Sequence, residues 1–437
     1  MKNLFNFPAV PPISQNKIPI WMMVILGLAT AIGPLATDMY LPAFPKINHD
    51  LVGYGDGSAQ MTLAIWFIGL AIGQFSIGPL SDRYGRRVPL FLGMLIFTLA
   101  SIGCAIVTNF YLFCLYRFFA SLGGSAGMVI ARAMVRDVSS GSSGIRMMAQ
   151  LALMGCIVPI AAPTLGSFIV ASVDWRWLFW IMTLYGTIES LVILFYLPDT
   201  LPKKYRIQSS FRNILWQYVR IGSEPIFASN TLITSFANFI IFAYLSGTPM
   251  VLSSAMHFTP LQLGFWFGIN SIAIAGCNQI NSFLIRHRRP ATLLNFGVCV
   301  ASVAGISFII IALLPLEMNF WKIFLSCCPI VIIMGSLGFI FPNCTIFAFT
   351  LHGRRTGSAS ALLGTVQFLL GSISSTLMSF MPNHSMLPTA SVICFGVIGM
   401  LLCNLWRKKS TAAILTKVRG KPQNRPFGFG HLLKDLD

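Results

Sequence analysis

The feature that most constrains this chain is a series of apolar stretches, each long enough to cross a bilayer. A membrane-spanning helix needs about 20 mostly apolar residues, and twelve such stretches are separated here by charged or Pro/Gly-rich breaks. They lie at about 19–41, 59–79, 89–108, 110–135, 146–171, 176–197, 226–252, 261–284, 291–314, 320–349, 357–381 and 387–406. We therefore predict an all-α membrane protein with twelve transmembrane helices and no sizeable water-soluble domain.

The composition favours a membrane protein over a soluble one. Hydrophobic residues make up 55% of the chain and charged residues only 10%, whereas soluble domains carry roughly 25% charged residues. The net charge of +18 would suit nucleic acid, but that partner needs a compact basic face with aromatic residues for stacking. Here the cations lie in short runs between apolar segments. We expect the lipid bilayer to be the main solvent and predict no nucleic-acid partner.

One long polar connection divides the twelve stretches into two groups of six. It carries five cations, and we interpret it as a cytoplasmic linker with a short amphipathic helix around 210–220. The predicted organisation is a cytoplasmic amino-terminal segment (1–18), an amino-terminal six-helix bundle (19–197), the linker (198–225), a carboxy-terminal six-helix bundle (226–406) and a basic cytoplasmic tail (407–437). Because a two-bundle fold can work alone, we expect a monomer.

The positions of Lys and Arg predict the orientation, since these residues accumulate in short cytoplasmic loops. With both termini in the cytoplasm, 25 of the 30 cations fall on the inside. Only Lys46, Arg176 and Lys322 fall outside, and Arg117 and Arg132 lie within the fourth stretch. This asymmetry predicts that both termini are cytoplasmic.

Three ionisable residues inside the predicted spans are candidates for proton or substrate coupling: Asp38, Arg117 and Glu189. A charge in hydrocarbon costs about 2.5–3.5 kcal/mol, so such residues usually face the bundle interior and mark a pathway. Asp38 is either a coupling carboxylate or a solvated acid at a helix end. Arg117 is either a fixed positive charge near Asp38 or a side chain that snorkels to an interface. Glu189 is either a second protonatable site or a neutral, hydrogen-bonded residue on the lipid side.

Several polar residues in the spans are candidates for lining a wet cavity. An amide inside a bundle either bonds to a neighbouring helix, which we favour, or faces water. The cavity-lining candidates are Tyr40, Gln74, Asn238, Asn270 and Gln367.

A short loop rich in Gly and Arg, at residues 78–89, is the most distinctive local pattern. It predicts a tight cytoplasmic turn between the second and third spans, with glycine permitting the reversal and arginine enforcing topology. The candidate gate residues in this loop are Gly78, Asp82, Arg83, Gly85, Arg86 and Arg87. A weak echo, Arg286-His287-Arg288-Arg289-Pro290, follows the eighth span. An echo at the equivalent position of each half indicates an internal repeat of six spans.

These motifs together resemble those of a known family over residues 19–406. The Gly-Asp-Arg loop is similar to the signature of the major facilitator superfamily between helices 2 and 3. Further motifs resemble the Bcr/CflA branch of twelve-helix drug:proton antiporters, namely Thr37-Asp38-Met39-Tyr40-Leu41-Pro42-Ala43, Met134-Val135-Arg136-Asp137 and Ala162-Pro163-Thr164-Leu165-Gly166. The resemblance implies the major facilitator fold with two six-helix bundles, a bacterial inner membrane, and a small-molecule substrate together with protons.

The resemblance also implies roles for individual residues. Asp38 matches a membrane-embedded acid tied to substrate and proton, and Arg117 matches the arginine of the helix-4 motif. Asp82 matches a residue that helps to close a cytoplasmic gate against the start of helix 11, near 356–358. Pro159, Pro163 and Gly166 match the antiporter helix, helix 5. That helix usually reads Gly-Pro-x-x-Gly-Gly, and the departure here, Ala162-Pro163-Thr164-Leu165-Gly166-Ser167, leaves the direction of transport open.

The sequence contains no recognisable motif for the direct use of ATP or for catalysis. It contains no Gly-x-x-x-x-Gly-Lys-Ser/Thr loop, no nucleophile elbow and no metal-ligand spacing among its ten cysteines and six histidines. We therefore predict that the chain is not an enzyme and uses no metal or other cofactor. The favoured function is proton-coupled export of small organic compounds. The open alternatives are a dedicated metabolite, amino acid or siderophore transporter and, less favoured, a membrane enzyme or a passive channel.

Overall fold

The computed structural model describes residues 19–51, 58–139, 141–206, 211–254, 256–314, 320–350, 356–381 and 385–419. Regular structure within these ranges is helical, with two short 3-10 segments, Leu41–Ala43 and Lys203–Tyr205. The α-helices are α1 (Ile20–Asp38), α2 (Phe44–Asp50), α3 (Ser58–Tyr84), α4 (Arg87–Ile106), α5 (Phe110–Val138), α6 (Gly141–Ser172), α7 (Arg176–Phe195), α8 (Phe211–Gly222), α9 (Pro225–Ser254), α10 (Pro260–Leu284), α11 (Pro290–Leu313), α12 (Phe320–Phe349), α13 (Thr356–Ser379) and α14 (Leu387–Arg419).

The all-α membrane class predicted from the sequence is confirmed. Ten helices in the described part of the chain are long and apolar enough to cross a membrane. The outward surface is apolar as well, since Leu99, Leu184 and Val303 are 58%, 61% and 61% exposed. Such a surface suits lipid rather than water.

Two predicted spans, α6 and α10, fall outside that group of ten. The long apolar part of α6 is Ile157–Ser172, and α10 carries polar amides at Asn270, Asn278 and Asn281. These side chains lower the hydropathy of α10 and explain why it falls outside the group of ten. The count of twelve spans and the cytoplasmic placement of the termini stay predictions.

The chain divides into two compact units, Met1–Ile214 and Leu215–Asp437. The division falls inside the predicted linker, 198–225. In the first unit α5 packs against α1, α3 and α4, while α4 also packs against α7 and α1 against α6. In the second unit α9 packs against α12, α13 and α14, while α12 packs against α10 and α11.

Small residues allow the helices of the first unit to approach closely. A Cβ atom added to Gly69 or to Gly73 of α3 would lie 1.9 Å from the hydroxyl oxygen of Ser121 or of Ser125, respectively, on α5. This is the close contact that a Gly-x-x-x-Gly pair permits in a membrane bundle. It fixes α5, which carries Arg117, against α3.

Amide side chains join the helices of the second unit. The Nδ2 of Asn343 in α12 donates to the Oδ1 of Asn281 in α10 at 2.8 Å, and both side chains are buried. This bond is the helix-to-helix use of an amide that the sequence suggested.

The last helix continues past its predicted end at residue 406 and runs to Arg419. Arg407, the first residue of the predicted tail, is only 3% exposed. Its Nε donates to Asn404 Oδ1 and its Nη2 to Asn295 Oδ1, both at 3.0 Å. These buried amide acceptors draw the arginine into the bundle and extend the helix. The predicted segment 1–18 and the end of the tail, 420–437, lie outside the described residues.

Candidate functional site

The guanidinium of Arg117 lies in a box of aromatic rings inside the first unit. Arg117 is on α5 and is 1% exposed. Its Cζ lies 4.2 Å from the ring centre of Trp66, 4.5 Å from that of Tyr40 and 5.9 Å from that of Phe179. Rings at these distances attract a cation through their electron-rich faces. The box therefore holds a positive charge in the interior of the bundle.

The hydrogen bonding of this charge is incomplete. Arg117 Nη1 donates to the Ala36 carbonyl oxygen at 3.3 Å. The Nε and Nη2 atoms have no hydrogen-bond partner in the part of the chain that the structure describes. A buried guanidinium without a carboxylate is costly, which makes Arg117 a strong candidate for a functional residue.

Asp38 is the last residue of α1 and is half-buried. The helix ends because the chain turns at Met39 and Tyr40 and enters the 3-10 segment that contains Pro42, which cannot donate a backbone hydrogen bond. Arg117 contacts the residues two positions before and two positions after Asp38, Ala36 and Tyr40. Arg117 therefore contacts the turn of chain that carries Asp38, on both sides of the acid.

The structure refines what the sequence suggested for this pair. No ion pair joins Asp38 and Arg117 within the residues described. Snorkelling of Arg117 to an interface is excluded by its burial among Tyr40, Trp66 and Phe179. Asp38 is therefore free of a cation at ion-pair distance in the described part of the chain.

Helix α6, which carries the predicted antiporter motif, packs against the turn that follows Asp38. Gly166 is buried, and a Cβ added to it would lie 2.0 Å from the Met39 carbonyl oxygen. Pro163 is also buried and Pro159 is half-buried, both inside α6. The motif glycine thus lets α6 touch the backbone next to the candidate coupling acid.

Glu189 lies in α7, away from Asp38 and Arg117. It is 3% exposed, so the lipid-side alternative is wrong. Its Oε1 has no hydrogen-bond partner among the described residues. One turn earlier, the Tyr185 hydroxyl donates to the Leu28 carbonyl oxygen at 2.6 Å. Since Asp38 follows Leu28 by ten residues of α1, it lies about 15 Å further along that helix, and the structure does not bring the two acids together.

The predicted gate loop folds as a shorter turn than the sequence suggested. Helix α3 continues through Gly78 and Asp82 to Tyr84, and α4 begins at Arg87, so that Gly85 and Arg86 alone separate them. Gly85 has φ +92°, which favours glycine. A Cβ there would lie 2.1 Å from Asp199 Oδ2, so a larger residue at this position would also clash with the Asp199 side chain.

Arg86 is the centre of a cluster of charged side chains, the Arg86 ion cluster, which consists of Asp82, Arg86, Asp137, Asp199 and Arg206. Arg86 Nη1 donates to Asp82 Oδ1 at 2.5 Å and Nε donates to Asp137 Oδ2 at 2.8 Å. The backbone N–H of Arg86 donates to Asp199 Oδ1 at 2.9 Å, and Arg206 Nη2 donates to Asp199 Oδ2 at 2.8 Å. The cluster ties the α3–α4 turn to the end of α5 and to the segment after α7.

The charge of Arg86 is permanent. Burial lowers the pKa of its guanidinium, but the hydrogen bonds and charges of Asp137 and Asp82 raise it, and the net pKa lies above the ordinary value. The two remaining gate arginines behave differently. Arg87 is buried and donates to the carbonyl oxygens of Ile193 and Leu194 in α7. Arg83 is exposed, with its Cζ 5.5 Å from the Tyr84 ring centre.

Replacing Arg86 by alanine is expected to lower the free energy of unfolding by about 3 kcal/mol. The main cause is Asp137, whose side chain is only 17% exposed and loses its cation. Asp82 adds little, because its side chain is 46% exposed and water compensates for the loss. Thermal unfolding of the purified protein measures the effect. The exposed Arg83→Ala serves as control and is expected to stay within about 0.5 kcal/mol. Equal losses in the two variants would contradict the central place of Arg86.

The cavity-lining candidates occupy both units. Tyr40 and Gln74, which is 3% exposed, lie in the first unit. In the second, Asn238 and Asn270 donate to carbonyl oxygens of their own helices, at Thr234 and Trp266. Gln367, in α13, is half-buried. The Oδ1 of Asn270 is buried without a hydrogen-bond partner among the described residues, so this amide is not used to join helices there.

Sequence reasoning missed two residues of these sites. Trp66, which forms one wall of the Arg117 box, lies in an apolar span where nothing marks it off from a lipid-facing residue. Asp199 follows α7 in the segment taken as linker, and its bond to Arg86 joins positions 113 residues apart. The available signal was an acid directly after Pro198, at the end of a span.

No group of three or more potential metal-ligating side chains occurs in the described ranges.

Comparison with known proteins assigns the family. The profile of the Major Facilitator Superfamily matches residues 26–375. The chain is 33% identical over 390 residues to YdgK of Bacillus subtilis (strain 168), an uncharacterised transporter of that superfamily, covering 88% of this chain and 95% of the relative. It is 25% identical over 375 residues to the bicyclomycin resistance protein homolog of Haemophilus influenzae, covering 86% and 93%.

A solved structure has the same fold. The crystal structure of a D-xylose-proton symporter matches with a TM-score of 0.72 and 14% sequence identity, over 88% of this chain and 97% of the symporter. Together with the apolar helices, the bacterial relatives make this chain a multi-pass protein of the inner membrane. Its family and its structural neighbours are transporters rather than enzymes. The chain therefore belongs to the major facilitator superfamily.

Proposed function

We propose that this protein exports small organic compounds across the inner membrane in exchange for protons, as a multidrug efflux transporter. The observation that carries the proposal is the half-buried carboxyl of Asp38, in a turn that the buried Arg117 contacts on both sides. A resistance protein among the relatives supports a drug-like cargo.

The proposed cycle uses the two charge states of Asp38. When the site is open to the cytoplasm, the ionised carboxylate favours binding of the compound. When it is open to the outside, a proton neutralises the carboxylate and the compound leaves. Two units that expose one site alternately to the two sides are the general mechanism of such transporters. Each cycle moves a compound out and a proton in.

Arg117 is proposed to transmit the charge state of Asp38 to the bundle. Its guanidinium holds the Ala36 carbonyl and the Tyr40 ring, so a movement of the Asp38 turn changes contacts on α1 and α5 together. The hydroxyl of Tyr40 is in turn hydrogen-bonded to the hydroxyl of Thr62 in α3. The box therefore links α1, α3, α5 and α7 to one titratable group.

The Arg86 ion cluster is proposed to support a gate on the cytoplasmic side. Its bonds hold the ends of α3 and α5 and the start of α4 as one body, so these ends move together when the cytoplasmic side opens. Glu189 is proposed as a second protonatable site, because it is buried with an unpaired carboxyl oxygen in the described part of the chain.

Replacing Asp38 by asparagine is expected to abolish proton-coupled transport while leaving the fold intact, because the amide has the same size but cannot be ionised. The assay uses proteoliposomes with an imposed pH gradient and a panel of cationic, neutral and zwitterionic drugs, with proton release as the readout. Asp174→Asn is the matched control, since Asp174 is an exposed acid with a 51% exposed side chain. It is expected to transport like the wild type.

Other results would point elsewhere. Normal coupling in Asp38→Asn would refute the proposed coupling role, and loss of coupling in Glu189→Gln alone would move that role to Glu189. A response to one compound class only would favour a dedicated metabolite, amino acid or siderophore transporter. Flux without proton movement in the wild type would refute antiport.

A further inference from the structure

The helix between the two halves, α8, has three faces of different chemistry. Tyr218 and Ile221 form a buried face, at 4% and 1% exposure. Asn213, Gln217 and Arg220 form a polar face, of which Asn213 and Arg220 are exposed. The third face is apolar and exposed, and it comprises Leu215 at 46%, Trp216 at 64% and Val219 at 52%. Arg212 lies seven residues, or two turns, before Val219 and is also exposed on this third side.

The contacts of α8 place it at one end of the second unit. Ile221 packs in a cluster with Phe227, Ala348, Ala359 and Leu363. Ala348 lies at the end of α12 and Ala359 at the start of α13. The short connection between those helices carries Arg354 and Arg355, so the positive-inside rule assigns this end to the cytoplasm. The buried face of α8 thus rests on the cytoplasmic ends of two spans.

The exposed apolar face needs a partner that is apolar and anionic. Three large apolar side chains, one of them tryptophan, favour the boundary between headgroups and acyl chains. Arg212 and Arg220 form no ion pair within the residues described. The nearest acid along the chain, Glu224, accepts the backbone N–H groups of Ile226 and Phe227 at the start of α9. The positive charge of α8 is therefore not neutralised by its own helix.

We propose that α8 lies in the headgroup layer of the cytoplasmic leaflet and binds anionic phospholipid. Leu215, Trp216 and Val219 insert between the lipids, Arg212 and Arg220 pair with headgroup phosphates, and Asn213 and Gln217 point to the cytoplasm. This site is separate from the Asp38 site, and the inference holds whatever compound the transporter carries.

The test follows the indole of Trp216 in the full-length protein. The chain has nine tryptophans, so 5-fluorotryptophan is incorporated and the Trp216 resonance is identified by its absence in Trp216→Phe. The protein is placed in phosphatidylcholine nanodiscs that contain a trace of spin-labelled phosphatidylglycerol or spin-labelled phosphatidylcholine. Broadening of the resonance reports which lipid lies next to the indole.

We expect the anionic spin label to broaden the Trp216 resonance far more than the zwitterionic label does. Two arginines at the surface predict a preference of roughly 25-fold, and each of Arg212→Gln and Arg220→Gln is expected to reduce it about five-fold. Arg286→Gln removes an exposed arginine elsewhere and is expected to leave the preference unchanged. Trp177, which is 54% exposed at the start of α7, is expected to show no preference.

Three results would overturn the proposal. Equal broadening by the two lipids would remove the anionic selectivity. Broadening by an aqueous gadolinium chelate alone would place Trp216 in water. Insensitivity to both the lipid labels and the chelate would mean that protein covers this face.

Discussion

Replacing Gly166 by alanine is expected to reduce both stability and transport severely. The added Cβ would lie 2.0 Å from the Met39 carbonyl oxygen and 2.8 Å from the carbonyl carbon, and backbone atoms cannot rotate out of the way. Overpacking of this kind costs about 1–3 kcal/mol. The strain falls on the residue directly after Asp38, so the proposed coupling site is displaced as well. Thermal unfolding and proteoliposome transport measure the two effects.

The same helix supplies the matched control. Gly155 also lies in α6, and a Cβ added there meets no atom of the described residues within 4 Å. Gly155→Ala is expected to be neutral or to stabilise the helix by up to about 1 kcal/mol, through the better helix propensity of alanine. If Gly166→Ala were as well tolerated as Gly155→Ala, the close packing of α6 on the Asp38 turn would be refuted.

Replacing Arg117 by methionine is expected to abolish proton-coupled transport and yet to raise thermal stability. The guanidinium is buried with two unpaired nitrogen atoms in the described part of the chain. Its stacking on Tyr40 and Trp66 contributes about 2 kcal/mol at each ring, whereas removing an unpaired ion from water costs several kcal/mol. The balance predicts a gain of about 1 kcal/mol in the free energy of unfolding. A melting curve and a transport assay on the same preparation test both parts.

Another buried arginine provides the contrast. Arg407 is 3% exposed but donates to the side-chain oxygens of Asn295 and Asn404. Arg407→Met is expected to lower stability, since it leaves the Asn404 oxygen without its donor at a cost of about 1–3 kcal/mol. Loss of stability in both variants would show that the contacts of Arg117 with its aromatic box stabilise the fold, and that its buried charge is not a net cost to stability.

Much of the helical plan follows from local pattern. The apolar stretches predicted the helices because a bilayer demands a fixed length of apolar chain. The amphipathic helix predicted around 210–220 is α8, at Phe211–Gly222. The gate turn was located by Gly85, since few other residues adopt a positive φ. Arg117 and Glu189 were singled out because charge inside a span is rare, and both are buried.

The pairings at the sites did not follow from the sequence. Arg86 meets Asp137 and Asp199 across 51 and 113 residues of chain, and no local pattern encodes such a distance. Arg407 resembled the first residue of a basic tail, and only the fold brings Asn295 to it. Whether an arginine snorkels, pairs or enters an aromatic box depends on neighbouring helices whose apolar residues look alike in sequence.

The hydrogen bond between the side-chain amides of α10 and α12 constrains how the protein is inserted into the membrane. The two asparagines, Asn281 and Asn343, are 62 residues apart, so the ribosome completes α10 well before its partner exists. Until α12 arrives, a helix rich in amides must wait at the insertion machinery or enter the lipid with unpaired polar groups, which hydrocarbon opposes. Integration of α10 is therefore cooperative with that of α12. The carboxy-terminal unit enters the membrane as an assembling group of helices rather than one helix after another.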